Sequence, residues 1–337
     1  MLLQDRVLTL LVASRGQFVS GETMRKSLGV TRMAVSNAVR ALRWQGYAID
    51  AVTNRGYCLS GEPDLLQPGD VLGRLPEERR GTVRVFASID STNTYLKREA
   101  MSGAPDGLCA VANEQTAGRG RVGRAFLSAP DCGIYLSLLL RPKCAPADCA
   151  TLTSHAAVAV CRAIEAVCGV QPGIKWTNDI VLGGRKVCGI LTELSLEGES
   201  GAVDSVVIGI GINANNRPGD FPPELREVAG SIRSATGSAV VRADLTAALI
   251  RELDEMTRVW TAYPYAYLEA YRALCLTTGK EVRVIRGDSQ RRAFAEAVAD
   301  DFSLLVRYDD GSTEQLSGGE VSVRGLLGYA GDEPASG

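Results

Sequence analysis

Strand-length apolar runs crowd the middle of this chain and restrict its fold more than any other feature. Residues 108–112, 134–140, 174–182, 185–193 and 206–213 are rich in Val, Ile and Leu and bounded by Gly, Pro or polar residues, the pattern of buried strands. Buried strands have to share a sheet, and a sheet needs a cover. Two helical patterns supply it. One is an alanine-rich stretch at about 147–167; the other is amphipathic, marked by Leu245, Leu249, Leu253, Met256 and Trp260. The expected class is α+β, with a mixed sheet at the centre.

Between the first two runs lies Gly118-Arg119-Gly120-Arg121-Val122-Gly123-Arg124. Alternating arginine and glycine bury almost no apolar surface, so packing does not account for this stretch. Glycine lets a backbone approach a ligand closely, and guanidinium groups clamp phosphate or carboxylate oxygens in a fixed fork. The loop reads as an anion binder held between two strands; a solvated, flexible linker is the bland alternative.

The N-terminus is different in character. Residues 1–62 carry eight Lys/Arg against four Asp/Glu, a local +4 in a chain of net charge -2, which points to a polyanion partner for this segment. Helices are predicted over residues 6–14, from the N-cap Ser20 to the stop at Gly29, and after Thr31. The third places Val35, Ala38, Val39 and Leu42 on one face and leaves Arg32, Ser36, Asn37 and Arg40 on the other. With the tight connection at 28–31 this is a helix-turn-helix pattern, whose exposed polar residues suit phosphates and base edges in a major groove. Residues 48–52 and 57–59 flank a hairpin turn with Arg55 at its tip, a basic wing. A plain three-helix interaction domain is the competing reading.

Residues 63–82, rich in Gly, Pro and charge, are expected to be a linker between this winged helix-turn-helix (1–62) and the sheet domain (83–275). Short alternating strands at 280–285, 302–308 and 320–324 predict a small SH3-like β-barrel over 276–328, and 329–337 is expected to be a disordered tail. Within the sheet domain, Asp90-Ser91-Thr92-Asn93 opens a helix, where such groups either cap it or hold a small polar ligand group. Asn178 and Asp179 interrupt an apolar run and are costly there unless paired or functional. Lys186 begins an otherwise apolar strand, and a lysine fixed at a core edge suits an anion. Gly209 and Gly211 leave room for a flat ligand or another backbone.

Some chemistry has little to work with. The single histidine, His155, lies in the alanine-rich helix and reads as structural, which disfavours serine–histidine catalysis and multi-histidine metal sites. Nine cysteines without a Cys-x-x-Cys pair read as buried hydrophobes in a reducing compartment. With no secretory signal and no membrane-spanning apolar stretch, the cytoplasm is expected. Cations around a glycine-rich pocket, without a histidine base, suit adenylate formation from a carboxylate and ATP, where charge and positioning dominate the transition state.

Four motifs, Gln115-Thr116-Ala117-Gly118-Arg119-Gly120-Arg121-Val122-Gly123-Arg124, Lys175-Trp176-x-Asn178-Asp179, Arg185-Lys186-x-x-Gly189-Ile190-Leu191 and Gly209-Ile210-Gly211-Ile212-Asn213, resemble in order and spacing those of the biotin–protein ligase family. With the helix-turn-helix and Gly318-Gly319-Glu320-Val321-Ser322-Val323-Arg324, nearly all of residues 1–328 is similar to the bifunctional bacterial form that also represses the biotin operon. The resemblance implies two steps. Biotin and ATP with Mg²⁺ give biotinyl-5′-adenylate (biotinyl-AMP) and pyrophosphate; a lysine of the biotin carboxyl carrier protein of acetyl-CoA carboxylase then attacks the adenylate. It implies biotin contacts at Ser91, Thr92, Asn93 and Gln115, a lid of Arg119, Gly120 and Arg121, and pocket glycines Gly189 and Gly211. Lys186 is implied to meet the biotin carboxylate and the adenylate phosphate. Asn178, Asp179 and Asn213 fall on the nucleotide side with Arg121 and Lys186, and Arg119, Arg121 and Lys186 carry the catalysis; no metal ligand is assigned. Such repressors, loaded with the adenylate, form homodimers and bind a two-fold operator, with no membrane partner.

Two positions depart from the family pattern. Thr177 stands where proline is usual, removing a fixed φ that would stiffen the loop, and Phe126 stands where tryptophan is usual, keeping an aromatic without its indole N–H. Two other readings fit less well: a lipoate or octanoate transferase, which the arginine loop and DNA-binding unit do not suit, and a pure metabolite sensor, which needs no transition-state clamp such as Arg119 with Lys186.

Overall fold

The computed structural model describes residues 1–317 apart from 199, 264 and 288, together with the backbone of 322–325. The expected tail at 329–337 and most of the motif at 318–324 lie outside the described residues. The N-terminal unit comprises α1 (Leu3–Ala13), α2 (Gly21–Leu28), α3 (Arg32–Trp44) and the antiparallel hairpin β1 (Ala48–Val52) and β2 (Gly56–Gly61). Ser20 Oγ accepts the Thr23 N–H at 2.9 Å and Thr31 Oγ1 that of Ala34 at 3.2 Å, so both helices of the turn motif start on side-chain caps. Gly29 ends α2 at φ 66°, in the left-handed region where a Cβ is penalised. Val35, Ala38, Val39 and Leu42 of α3 share a core with Val7, Leu8 and Leu11 of α1.

The stretch expected to be a linker is packed on both sides. It holds α4 (Pro68–Leu72) and α5 (Glu77–Arg80). Gly69 lies against Leu8 of α1, where a Cβ would come within 2.6 Å of the leucine Cβ. Leu66, Val71, Leu72 and Leu75 enter the core of the following domain. Asp64 receives Arg242, a fully buried residue that donates Nε to Asp64 Oδ2 at 2.8 Å and Nη2 to Asp64 O at 2.7 Å. The same guanidinium reaches Asn113 Oδ1 at 2.7 Å and Gly133 O at 3.1 Å. Charge and glycine here serve a buried arginine and a close helix contact rather than solvation.

The sheet domain runs β3 (Val83–Phe86), α6 (Thr92–Met101), β4 (Cys109–Ala112), β5 (Gly133–Leu140), α7 (Pro146–Cys149), α8 (Leu152–Cys168), β6 (Gly173–Lys175), β7 (Asp179–Leu182), β8 (Arg185–Leu196), β9 (Val203–Asn213), α9 (Ile232–Thr236), α10 (Arg242–Ala262) and α11 (Leu268–Leu274). Its seven strands lie in the order β3-β4-β5-β9-β8-β7-β6, with β3 and β4 parallel and the other neighbours antiparallel. Helices α8 and α10 cover one face with the main core between. On the opposite face α6 packs Leu96 and Ala100 over Leu139 and Val207. The helix expected over 147–167 is two, α7 and α8. The run at 174–182 is a hairpin instead of one strand: the polar residues after Trp176 make the reversal, and Asn178 Nδ2 donates to Ile190 O at 2.9 Å.

The C-terminal unit is a five-stranded antiparallel sheet of β10 (Glu281–Arg286), β11 (Ser289–Val298), β12 (Leu304–Tyr308), β13 (Thr313–Leu316) and β14 (Ser322–Gly325), in the order β13-β12-β11-β10-β14. Strand β11 escapes a pattern search because its first four residues are all exposed. The unit docks on the sheet domain through a shared core, and Trp176 Nε1 donates to Phe302 O at 2.9 Å. Among the described residues, no helix is long and apolar enough to cross a membrane.

Candidate active site

Glycine shapes the site. On the face opposite α8 and α10, Ser137, Gly209 and Leu191 are register partners across β5, β9 and β8, and Tyr135, Gly211 and Gly189 form the next row. Without side chains at 189, 209 and 211 the sheet surface is recessed, and a cavity of about 570 Å³ lies over it. The cavity is lined by Ser91, Thr92, Asn93 and Gln115, by Arg119, Gly120 and Arg121, by Asn178, Asp179 and Lys186, and by Gly189, Gly211 and Asn213. The structure therefore brings every expected ligand-site residue to one place.

The two ends differ in chemistry. One is neutral and hydrogen-bonded: Thr92 donates its N–H and hydroxyl to Gln115 Oε1 at 2.8 and 3.0 Å, and Gln115 Nε2 donates to Ser128 Oγ at 2.9 Å. Ser91 caps α6 through the Thr94 N–H at 3.4 Å. The other end is ionic. Lys186 Nζ lies 2.6 Å from Asp179 Oδ1, Arg121 Nη1 donates to Asn178 Oδ1 at 2.8 Å, and Asn213 Nδ2 donates to Gly230 O at 3.0 Å. Neighbouring side chains and backbone hold these groups in place, which is what lets a fixed charge act on a developing anion.

The arginine loop is folded, with Gly120 N donating to Arg124 O at 2.7 Å and Phe126 N to Gly118 O at 2.9 Å. Its glycines answer local demands: Gly123 has φ 71°, and a Cβ at Gly118 would press on the Phe126 carbonyl and Ser128 hydroxyl. Phe126 rests on the glycine floor, where a Cβ at 211 would come within 2.6 Å of its Cζ. At the Thr177 position, Tyr271 OH donates to Thr177 O at 3.1 Å and Trp176 N donates to Thr277 Oγ1 at 2.9 Å, so residues distant in sequence contact this segment.

Sequence reasoning missed part of the wall. Phe221, Leu225 and Val228 come from a Pro- and Gly-rich connection without periodic signal, pinned where Lys186 N donates to Val228 O at 2.9 Å. Ile285 and Gly287 come from the C-terminal unit, which no local pattern places beside the sheet. His155 is buried away from the cavity. Its Nδ1–H donates to Thr151 O at 2.9 Å, it stacks on Tyr267, and burial pushes its pKa down to about 4. All nine cysteines are free thiols.

At the N-terminal unit, Arg32, Asn37, Arg40 and Arg55 are exposed and Ser36 is half-buried. Arg32 pairs with Glu22 at 3.0 Å, Arg40 Nη2 donates to Asn37 Oδ1 at 2.7 Å, and the Arg55 guanidinium stacks 4.2 Å from the Phe18 ring centroid. Four of the five groups are thus on the surface and pre-oriented.

Three family models match the chain in order: an HTH domain at residues 4–58, the biotin/lipoate A/B protein ligase family at 85–213 and the biotin protein ligase C terminal domain at 277–324. The bifunctional ligase/repressor BirA of Bacillus subtilis is 35% identical over 92% of this chain and 95% of its own length. That of Escherichia coli is 31% identical over 92% and 94%. Among solved structures, the biotin protein ligase of Aquifex aeolicus in complex with biotin and ATP superposes with a TM-score of 0.62 at 26% identity, covering 72% of this chain and 99% of that one. With identity at this level along almost its whole length, the chain belongs to the biotin protein ligase family, in its bifunctional ligase/repressor form.

Proposed function

We propose that this protein activates biotin with ATP to biotinyl-5′-AMP, transfers biotin to a lysine of a biotin carboxyl carrier protein, and uses the adenylate as corepressor at an operator. The observation that carries the reading is a cavity with a neutral polar end and a cationic end. Ser91, Thr92 and Gln115 suit the ureido ring of biotin, with Asn93 behind them, and Gly189 and Gly211 leave room for its fused rings. Attack of the biotin carboxylate on the α-phosphorus forms the acyl–phosphate bond and expels pyrophosphate. It needs two anions brought together and the growing negative charge stabilised, with no base required. Lys186, held by Asp179, and Arg121, held by Asn178, face that point, and Arg119 with Gly120 closes over the product. In the second step the carrier lysine attacks the acyl carbon and AMP leaves.

ATP arrives with Mg²⁺, which lowers the negative charge its phosphates present. Asp179, on the cavity wall, supplies a carboxylate oxygen of the kind such an ion takes. Asn213 and Asn178 belong to the nucleotide side. Arg32, Ser36, Asn37, Arg40 and Arg55 suit the DNA backbone and base edges, and adenylate-loaded homodimers match a two-fold operator. Carrier protein and operator both put the work in the cytoplasm.

Purified protein with biotin, ATP and Mg²⁺ should exchange labelled pyrophosphate into ATP, and lipoate in place of biotin should not support exchange. No biotin-dependent exchange refutes the ligase reading. Operator binding should tighten with biotinyl-AMP and weaken in Arg40→Ala; binding indifferent to the adenylate refutes the corepressor role.

A further inference from the structure

Asn93 lines the cavity, yet its amide is committed to the protein. Nδ2 donates to Glu193 Oε2 at 2.9 Å and to Leu191 O at 3.4 Å, and Oδ1 accepts from Ser137 Oγ at 2.6 Å. Ser137, fully buried, gives its one hydroxyl proton to Asn93, and its Oγ lies 2.7 Å from the Thr92 hydroxyl, while the Thr92 backbone N–H donates to Gln115. A continuous run of polar contacts therefore leads from Gln115 through Thr92, Ser137 and Asn93 to Glu193. At its far end Glu193 Oε1 receives Lys97 Nζ at 3.0 Å and lies 3.6 Å from Arg119 Nη1.

We propose that Glu193 is a positioning residue of the ligase reaction, tying the biotin-facing wall to the lid arginine; the inference rests on the ligase reading above. A carboxylate beside an anion-binding cavity would repel the ligand if it stood alone. Here the Glu193 side chain is 19% exposed and meets two cations, so the cluster keeps a net positive charge while both arms of the carboxylate are used. Asn93 and Lys97 of α6 donate to it and Arg119 of the arginine loop sits at ion-pair distance, so one side chain on β8 bridges the biotin wall and the lid. An amide at this position would still accept from Asn93 but would lose the charge that holds Arg119. Burial alone would raise the Glu193 pKa; hydrogen bonds from Asn93 and Lys97 more than offset it and keep the group ionised.

The two arms predict separable defects in the full-length protein. Glu193→Gln should speed release of biotinyl-adenylate about tenfold, equivalent to about 1.4 kcal/mol, while raising the KM for biotin less than the release rate. Glu193→Asp, which keeps the charge, should recover most of that retention. Ser137→Ala, which cuts the other arm, should raise the KM for biotin about tenfold with KM for ATP and adenylate release near wild type. The idea is overturned if Glu193→Gln lowers thermal stability but leaves adenylate release at the wild-type rate, or if Ser137→Ala and Glu193→Gln change both substrates' KM alike. A wild-type protein lacking biotin-dependent exchange removes the ligase reading, and this inference with it.

Discussion

Gly209→Ala tests the architecture of the pocket floor. A Cβ at this position would come within 2.8 Å of Asn93 Cγ and 2.9 Å of Nδ2, and still closer to Oδ1. Asn93 cannot swing aside: it is 4% exposed and held by Ser137, Glu193 and Leu191 O. Relief requires breaking at least the Ser137 bond and the charge-assisted bond to Glu193, worth about 1 and about 2 kcal/mol, so the loss is about 3 kcal/mol. A domain of this size loses about 2–4 °C of Tm per kcal/mol, which places the expected drop near about 10 °C in a thermal melt. The KM for biotin should rise as well. Adding Asn93→Ala removes the obstructing amide, so the double variant should be more stable than the sum of the single effects by at least about 1 kcal/mol. A Gly209→Ala protein that melts with wild type, or a strictly additive double variant, would refute the reasoning. Gly211→Ala is the internal contrast. The atoms it meets are the far edge of the half-buried Phe126 ring, with no buried hydrogen bond to break, so stability should change less than in Gly209→Ala while biotin binding weakens.

Lys186→Ala should reduce kcat for pyrophosphate exchange by about 10²–10³, the usual cost of removing one preorganised donor from an anionic transition state, and should lower the melting temperature because Asp179 loses its partner; an unchanged kcat would remove its catalytic role. Asp64→Ala should cost about 3 kcal/mol in urea denaturation, toward the low end for a broken buried pair because Asp64 is 31% exposed at its side chain. Equal stability would show that Arg242 is compensated elsewhere. Asp70 lends itself to a pH test. Burial pushes its pKa from 3.8 up to about 6, with the Gln67 N–H and the Tyr47 hydroxyl bonded to Oδ2 opposing that rise and Oδ1 without a partner. The folded state thus holds the proton more tightly, so its contribution is present at pH 4 and lost as pH rises through about 6. Relative to Asp70→Asn, the wild type should be about 2 kcal/mol more stable at pH 4 than at pH 7.5; parallel pH curves for the two proteins would contradict this.

Much of the molecule was legible one residue at a time. The caps Ser20 and Thr31, the stop at Gly29 and the buried face of α3 are local facts, set by side-chain oxygens within three residues and by a 3.6-residue repeat. So are the apolar strands and the alternation of the C-terminal unit. Departures occur where a polar or glycine residue has a distant partner. Residues 63–82 read as a linker because the arginine that claims Asp64 lies 178 positions away, and the contacts of the Thr177 segment are invisible locally because Tyr271 and Thr277 lie far along the chain.

The candidate site shows the same division. Sequence alone determined which chemical groups exist: the arginine loop, Lys186, the Asn178-Asp179 pair and the strand glycines. Their type follows from composition and spacing, without reference to a fold. Only the tertiary structure decided that these groups line one cavity, that Gly189 and Gly211 sit side by side as its floor, and that Glu193 joins Asn93 to Arg119. Strand order and register set those distances, and they depend on which side chains pack together across the whole sheet, a property that no local stretch of the chain carries.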